Sequence, residues 1–276
     1  MTRIPQPRPR LRIQSLARFF NGPKWQLETL RALREPLFLW ITHGQGRISI
    51  AGSTRGFHPH NAIFIPAGVM HSFHAMTRVQ GVALYLGDVR GLDLPDRPLH
   101  LRLRDGGSQV EVSQMVEEIQ RELDSDKPLA DRAVKLQLGL LAVWLERHGV
   151  ENADDFRLAA PQNANERLVA RYTALLEREF GSNLNVTDYA TALGVTATHL
   201  TRACRASCGR TAMALLQERR LFEARKLLAE TRIPVQEIAR NLGFSTPGYF
   251  ARAFAAQVGQ PPSAYRKAHG RQAALH

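Results

Sequence analysis

The sequence predicts two domains: an N-terminal antiparallel β jelly roll with supporting helices, and a C-terminal all-α unit containing two helix-turn-helix motifs. Residues 36–90 hold short apolar runs broken by Gly- and Pro-rich turns, residues 109–147 switch to helical spacing, and the last third of the chain repeats itself. A chain of 276 residues has the length for two cores.

The elements follow in order. The opening stretch MTRIPQPRPRLRI is basic and Pro-rich and lacks the apolar centre of a signal peptide, so residues 1–19 are expected to form a flexible basic arm. Apolar runs at Leu37–Thr42, Arg47–Ala51, Ala62–Ile65 and Val82–Leu86 read as strands. They are punctuated by His43-Gly44-Gln45-Gly46 and Pro66-Ala67-Gly68. Many short strands with Gly-rich turns suggest a small antiparallel barrel or jelly roll.

From Gln109 the period changes. Val112, Met115, Val116, Ile119 and Leu123 fall at helical spacing, and a second helix from Leu129 to Arg147 carries Val134, Leu138, Leu141 and Leu145 on one stripe, with Trp144 beside it. These helices can close the barrel or supply a dimer surface, and periodicity does not choose between the two. Residues 20–148 thus form the first domain. The polar stretch that follows, broken by Pro161, reads as a linker over residues 149–164.

Composition narrows the partners. The chain is 44% apolar and 22% charged, with a formal charge of +12, of which residues 165–276 carry +8. Such a balance favours nucleic acid or an anionic membrane surface. The longest apolar run, Leu138–Leu145, is far short of the ~20 residues a spanning helix needs, so no membrane segment is expected. Cys204 and Cys208 are the only cysteines, too few for a disulfide framework, which suits a reducing cytoplasm.

The repeat carries the sharpest signal. Asn185-Val-Thr-Asp-Tyr-Ala-Thr-Ala-Leu-Gly194 aligns with Pro234-Val-Gln-Glu-Ile-Ala-Arg-Asn-Leu-Gly243. After one inserted residue, Leu200 matches Phe250, Arg202 matches Arg252, Cys204 matches Phe254 and Gly209 matches Gly259. Asn185 or Pro234 opens a helix, and the acidic residue three places on meets unpaired amides at its positive end. Ala190 and Ala239 are small where a second helix crosses closely. Gly194 and Gly243 permit a left-handed turn, and Thr196 and Ser245 can cap the next helix. Leu200, Phe250 and Phe254 fall on its buried face. Each copy is a helix, a Gly turn and a capped second helix, and Ala212–Glu230 joins the two as one continuous helix. That pattern places the second helix of each copy in a DNA major groove.

The C-terminal domain is expected over residues 165–270, and residues 165–268 resemble the DNA-binding domain of AraC/XylS-type regulators, most closely in the second half. The resemblance lies in Arg219-Arg220-Leu221-Phe222-Glu223-Ala224-Arg225-Lys226-Leu227-Leu228, Ile238-Ala239, Gly243-Phe244-Ser245, Tyr249-Phe250-Ala251-Arg252-Ala253-Phe254 and Gly259-Gln260-Pro261-Pro262-Ser263-Ala264-Tyr265-Arg266. Cys204 departs from it, standing where a large apolar residue is usual. The resemblance implies a transcription regulator and not an enzyme, with no catalytic residue, and with double-stranded DNA and RNA polymerase as partners. It also implies two recognition helices in successive major grooves, about 34 Å apart, reading a bipartite site. The base-reading candidates are Thr198, Thr201, Arg202, Gly248 and Arg252, with Arg202 and Arg252 suited to bidentate guanine contacts. Thr196, His199, Arg205, Ser245 and Tyr249 are the candidates for phosphate or groove contacts. Buried structural thiols are expected at Cys204 and Cys208.

Pro66-Ala-Gly-Val-Met-His71-Ser-Phe73 resembles the second motif of cupin barrels as it occurs in AraC-type sensor domains. This implies a cupin-like domain that binds a small organic effector, with a homodimer formed through residues 108–147. Candidate pocket residues are Phe38, Trp40, Arg47, His60, Phe64, His71 and Phe73. Arg47 points to an anionic effector. His58, His60 and His71 have cupin-like ligand spacing, but no acidic residue lies between Glu35 and Asp88 to complete a metal site, and no cofactor is assigned. Two alternatives stay open: a cupin metalloprotein or metal sensor fused to a DNA-binding domain, and a ligand-independent DNA-binding protein.

Overall fold

A computed structural model describes residues 11–22, 27–87, 89–151 and 163–270. Eight strands among these residues pair antiparallel in two sheets. They are β1 (Arg12–Ser15), β2 (Leu37–His43), β3 (Gly46–Ile50), β4 (Ser53–Phe57), β5 (Asn61–Ile65), β6 (His71–Ala75), β7 (Gln80–Tyr85) and β8 (Leu99–Arg102). The larger sheet runs β1-β7-β2-β5-β8 and the smaller β4-β3-β6. Leu37, Leu39, Ile41, Ile63 and Ile65 of the large sheet face Ile48, Ile50, Phe57 and Phe73 of the small one, which makes a sandwich core.

The opposite face of the large sheet is buried too. Phe38, Trp40, Phe64, Leu84, Leu99 and Leu101 pack beneath Val112, Val116 and Ile119 of α2 (Gly106–Leu123) and Leu138, Leu141 and Leu145 of α3 (Ala130–Glu151). A strand buried on both faces has no polar positions to alternate, which is why β2 and β5 read as unbroken apolar runs. Both helices close over the sheet. Asp105 caps α2 by accepting from the Ser108 amide at 2.7 Å.

The arm expected over residues 1–19 is corrected in its second half. Arg12–Ser15 pair with β7 from Tyr85 to Val82. Ser15 then caps α1 (Leu16–Phe20), whose Leu16 and Phe19 are buried in the sandwich core. Residues 1–10 lie outside the described residues. Most of the expected linker does as well, although α3 runs on to Glu151 and α4 already begins at Ala164.

The C-terminal helices are α4 (Ala164–Glu179), α5 (Val186–Ala192), α6 (Ala197–Cys208), α7 (Ala212–Glu230), α8 (Val235–Asn241), α9 (Pro247–Val258) and α10 (Pro262–His269). They build two cores that share α7. Leu215 and Leu216 pack with α4, α5 and α6, while Leu221, Ala224 and Leu228 pack with α8, α9 and Tyr265 of α10. Among the described residues no helix is long and apolar enough to cross a membrane.

The two domains touch. Leu30 and Met70 of the N-terminal domain lie in the same core as Val169, Tyr172 and Leu176 of α4. Ser53 Oγ donates to Glu166 at 2.7 Å, and Arg55 lies 3.6 Å from the same carboxylate. Gly52, at φ +85°, lets the β3–β4 turn press on α4: a Cβ there would fall 2.3 Å from Val169 Cγ1.

Candidate nucleic-acid interface

Each repeat folds as its residues dictate, with one offset. In the first unit Asn185 Oδ1 accepts from the Thr187 and Asp188 amides at 2.8 and 3.2 Å, and the Asp188 carboxylate accepts from the Asn185 amide at 2.7 Å. This is a reciprocal cap of α5. Pro234 opens α8 without a side-chain cap. Gly194 and Gly243 turn the chain at φ +74° and +72°. At Gly243 the turn also needs the missing side chain, because a Cβ would lie 2.1 Å from the Ser182 carbonyl oxygen. Ala190 and Ala239 are buried at the helix crossings, and Leu200, Cys204, Phe250 and Phe254 are fully buried beneath the second helices.

Thr196 caps α6 by accepting from the His199 amide at 3.2 Å. The matching role in the second unit belongs to Thr246, which accepts from the Tyr249 amide at 3.1 Å, not to Ser245. The residue inserted in the repeat shifts the cap by one, and Pro247 then occupies the first helical turn, where its missing N–H costs nothing. Ser245 is exposed one position ahead of the cap.

The outer face of α6 presents Thr198, His199, Arg202 and Arg205 to solvent, with Thr201 half-buried. The outer face of α9 presents Gly248, Tyr249 and Arg252. The Arg252 guanidinium runs past Gly248, 3.9 Å from where a Cβ would stand, so the bare glycine leaves it an open path along the helix. Tyr249 is only 38% exposed, and its hydroxyl accepts from Gln217 of α7, which ties the second recognition helix to the connecting helix. Cys204 is buried, and burial pushes its thiol up to about 12; Cys208 Sγ donates to the Cys204 carbonyl. Both are packed thiols held within one helix.

Two arginines of α7 fix the units to each other. Arg219 is 4% exposed, grips Glu177 of α4 through two bonds of 2.6 and 3.0 Å, reaches Glu223 at 3.1 Å, and stacks 3.7 Å over the Phe180 ring. Burial works against its charge, yet the two carboxylates hold its pKa above the usual arginine value. Arg220 donates to the carbonyls of Phe180, Ser182 and Leu184 at 2.9, 2.7 and 3.0 Å. Its Nη2 and the Ser182 carbonyl crowd Gly243, so the loop after α4 in unit one bears on the turn of unit two.

A helix-turn-helix domain family model matches residues 189–268. Those residues are an AraC-type helix-turn-helix domain. The chain is 26% identical over 167 residues to the transcriptional activator RhaR of Salmonella schwarzengrund, covering 60% of this chain and 57% of that protein. It therefore spans little more than half the length of that relative. Among solved structures, the C-terminal domain of AraT, a response regulator from Geobacillus stearothermophilus, is 27% identical, with 41% of this chain and 95% of that one covered and a TM-score of 0.39. ToxT from Vibrio cholerae is 12% identical with full coverage of both chains and a TM-score of 0.46.

Ahead of the AraC-type domain, the seven pocket candidates are not brought together. Phe38, Trp40 and Phe64 face α2 and α3, whereas His71 and Phe73 face the sandwich interior with their rings 5.4 Å apart. Arg47 and His60 are exposed. Alternation puts Phe38, Trp40 and Phe64 on one and the same face of the large sheet, away from the small sheet, whose strand β6 carries His71 and Phe73. His58 and His60 are exposed while His71 is 1% exposed, so these three do not converge, and among the described residues no cluster of three or more His, Cys, Asp or Glu is gathered for a metal. The sandwich end instead holds a polar group in which His71 is joined by four residues absent from the sequence-derived set: Arg12, Arg31, Glu35 and Tyr85. Glu35 accepts from Arg12 at 2.6 Å, and the Arg12 guanidinium lies 3.8 Å over the Tyr85 ring. Arg31 stands in an ordinary apolar stretch, Leu30 to Leu33, and carries no sequence signal of its burial.

Proposed function

We propose that this protein is a sequence-specific DNA-binding transcription regulator, with its N-terminal sandwich binding a small organic effector. The observation that carries this is the pair of matching units on one connecting helix, each offering an exposed arginine, Arg202 and Arg252, at the same repeat position. Arginine fits the paired acceptors of guanine, and a rigid α7 sets the spacing of the two readers. Thr196, Thr198, His199, Thr201, Arg205, Ser245, Gly248 and Tyr249 complete the two contact faces, and RNA polymerase at the promoter is the expected protein partner. Genome-wide mapping of sites bound by the full chain tests the reading. Enrichment upstream of genes whose transcription changes on deletion supports it, and uniform occupancy contradicts it.

The regulator acts as a homodimer in this proposal, through α3. Leu136, Leu140 and Val143 recur along one exposed face of that helix, with Leu136 66% and Leu140 60% exposed. Spacing of four and three residues is the seam of a helix pair. Leu140→Glu is expected to convert a dimer to a monomer in sedimentation while the fold is kept. A wild-type chain that is already monomeric at micromolar concentration refutes the dimer.

A further inference from the structure

Arg31 and His71 form an isolated antiparallel bridge that joins the segment before β2 to the first residue of β6. Each backbone amide donates to the other's carbonyl, at 3.0 and 2.7 Å. In such a hydrogen-bonded pair the two side chains leave the backbone on the same side, from Cα atoms about 5.5 Å apart. Both are inside the protein, at 6% and 1% exposure. His71 Nδ1 donates to the Val69 carbonyl at 2.9 Å, which leaves Nε2 as an acceptor. Burial, with Arg31 close by, lowers the His71 pKa to about 3, so the ring stays neutral.

Arg31 Nη1 and His71 Nε2 are both buried without a hydrogen-bond partner, and Glu35 Oε2 is a third such atom. Buried polar atoms left unpaired are costly, and native proteins hold few of them. Arg31 also carries a full charge into this site. A forked cationic donor beside an obligate acceptor has a specific complement: an anionic group with a hydroxyl next to it. A simple carboxylate satisfies Arg31 and leaves His71 unpaired, and a neutral alcohol satisfies His71 and leaves the charge uncompensated.

We propose that Arg31 and His71 are the recognition pair for a sugar acid, whose carboxylate binds the Arg31 guanidinium while the adjacent hydroxyl donates to His71 Nε2. This names the effector class and rests on the reading of the N-terminal sandwich as an effector-binding domain. The pair is wired to the DNA-binding half. Leu30 and Met70, the residues immediately before Arg31 and His71, are packed into the core of the first helix-turn-helix unit. The Arg31 guanidinium itself lies 5.8 Å from the Phe222 ring on the connecting helix α7. A carboxylate drawn onto Arg31 competes with that ring for the guanidinium, so occupancy changes how α7 and α4 seat against the sandwich.

Calorimetric titration of the full chain with D-gluconate and D-galactonate, with acetate and D-glucose as controls, tests the pair. Saturable binding of at least one sugar acid is expected, with both controls weaker by about tenfold or more. Arg31→Lys keeps the charge but loses the fork, and His71→Phe keeps the volume but loses the acceptor. Each is expected to weaken the sugar acid about tenfold or more while circular dichroism stays native. Absence of binding by both sugar acids, equal binding of glucose or acetate, or unchanged affinity in both folded variants overturns the proposal. DNA binding by the same samples without ligand is measured alongside. A chain that binds DNA but no sugar acid fails only the effector assignment, and a chain that binds the sugar acid but no DNA fails only the regulator reading.

Discussion

Arg219→Met is expected to destabilise the C-terminal region by about 3 kcal/mol, at the lower end of the range for breaking a buried ion pair. The arginine is the centre of a cluster: its removal strands the Glu177 and Glu223 carboxylates, which are 19% and 14% exposed and so keep partial access to water. Methionine fills the volume over the Phe180 ring but supplies no donor, so apolar packing survives and the charge balance does not. Urea unfolding of the full chain reads the change as a lower midpoint for the C-terminal transition. Glu223→Gln, which leaves the two bonds to Glu177 in place, is expected to cost less than half as much. A stability loss below about 1 kcal/mol for Arg219→Met means that the cluster is dispensable for joining α4 to α7.

Arg202→Ala and Arg252→Ala are each expected to weaken binding to the specific site by about 1–3 kcal/mol, roughly 5–150-fold, with a much smaller loss on random DNA. Both side chains are exposed, so neither change disturbs a core. A phosphate contact behaves otherwise, lowering affinity on every sequence alike. Equal losses on specific and random duplexes assign these arginines to the backbone. The first is expected to matter more for discrimination. Its helix also offers Thr198, His199, Thr201 and Arg205. In the second, Gly248 and Ala251 add no hydrogen-bonding groups, and the Tyr249 hydroxyl is engaged by Gln217. The second unit therefore leans on Arg252, backbone contacts and DNA shape.

How much of this was legible in the sequence depends on whether local chemistry or distant packing sets each feature. The helix-turn-helix units were legible because caps, turn glycines and buried positions are local, and the repeat displays each of them twice. The single displaced feature, a cap at Thr246 in place of Ser245, came from the residue inserted between the two alignments. Strands β2 and β5 were legible as apolar runs for the same reason that they misled on the pocket. A run such as Leu37–Ile41 does not say which face meets α2 and α3 and which meets the small sheet. Strand β4, with Thr54 and Arg55 in place of apolar side chains, and β1, within a stretch that reads as a basic arm, are strands only because β3 and β7 pair with them. Arg31 was not legible, since its burial depends on a backbone bridge to His71, forty residues away, and on the docking of α7.

The recurrence of arginine at matching positions of two units locked to one helix makes a definite claim about the DNA site. Selection of duplexes from a random pool by the full chain, followed by sequencing, measures it directly. The expected result is two unlike blocks of preferred bases centred one helical turn, about 10–10.5 base pairs, apart for each bound protomer, with guanine within each block. Arg202→Ala is expected to erase the guanine preference in one block, and Arg252→Ala in the other. A single block, two identical blocks related by two-fold symmetry, or no enrichment over the starting pool contradicts the account.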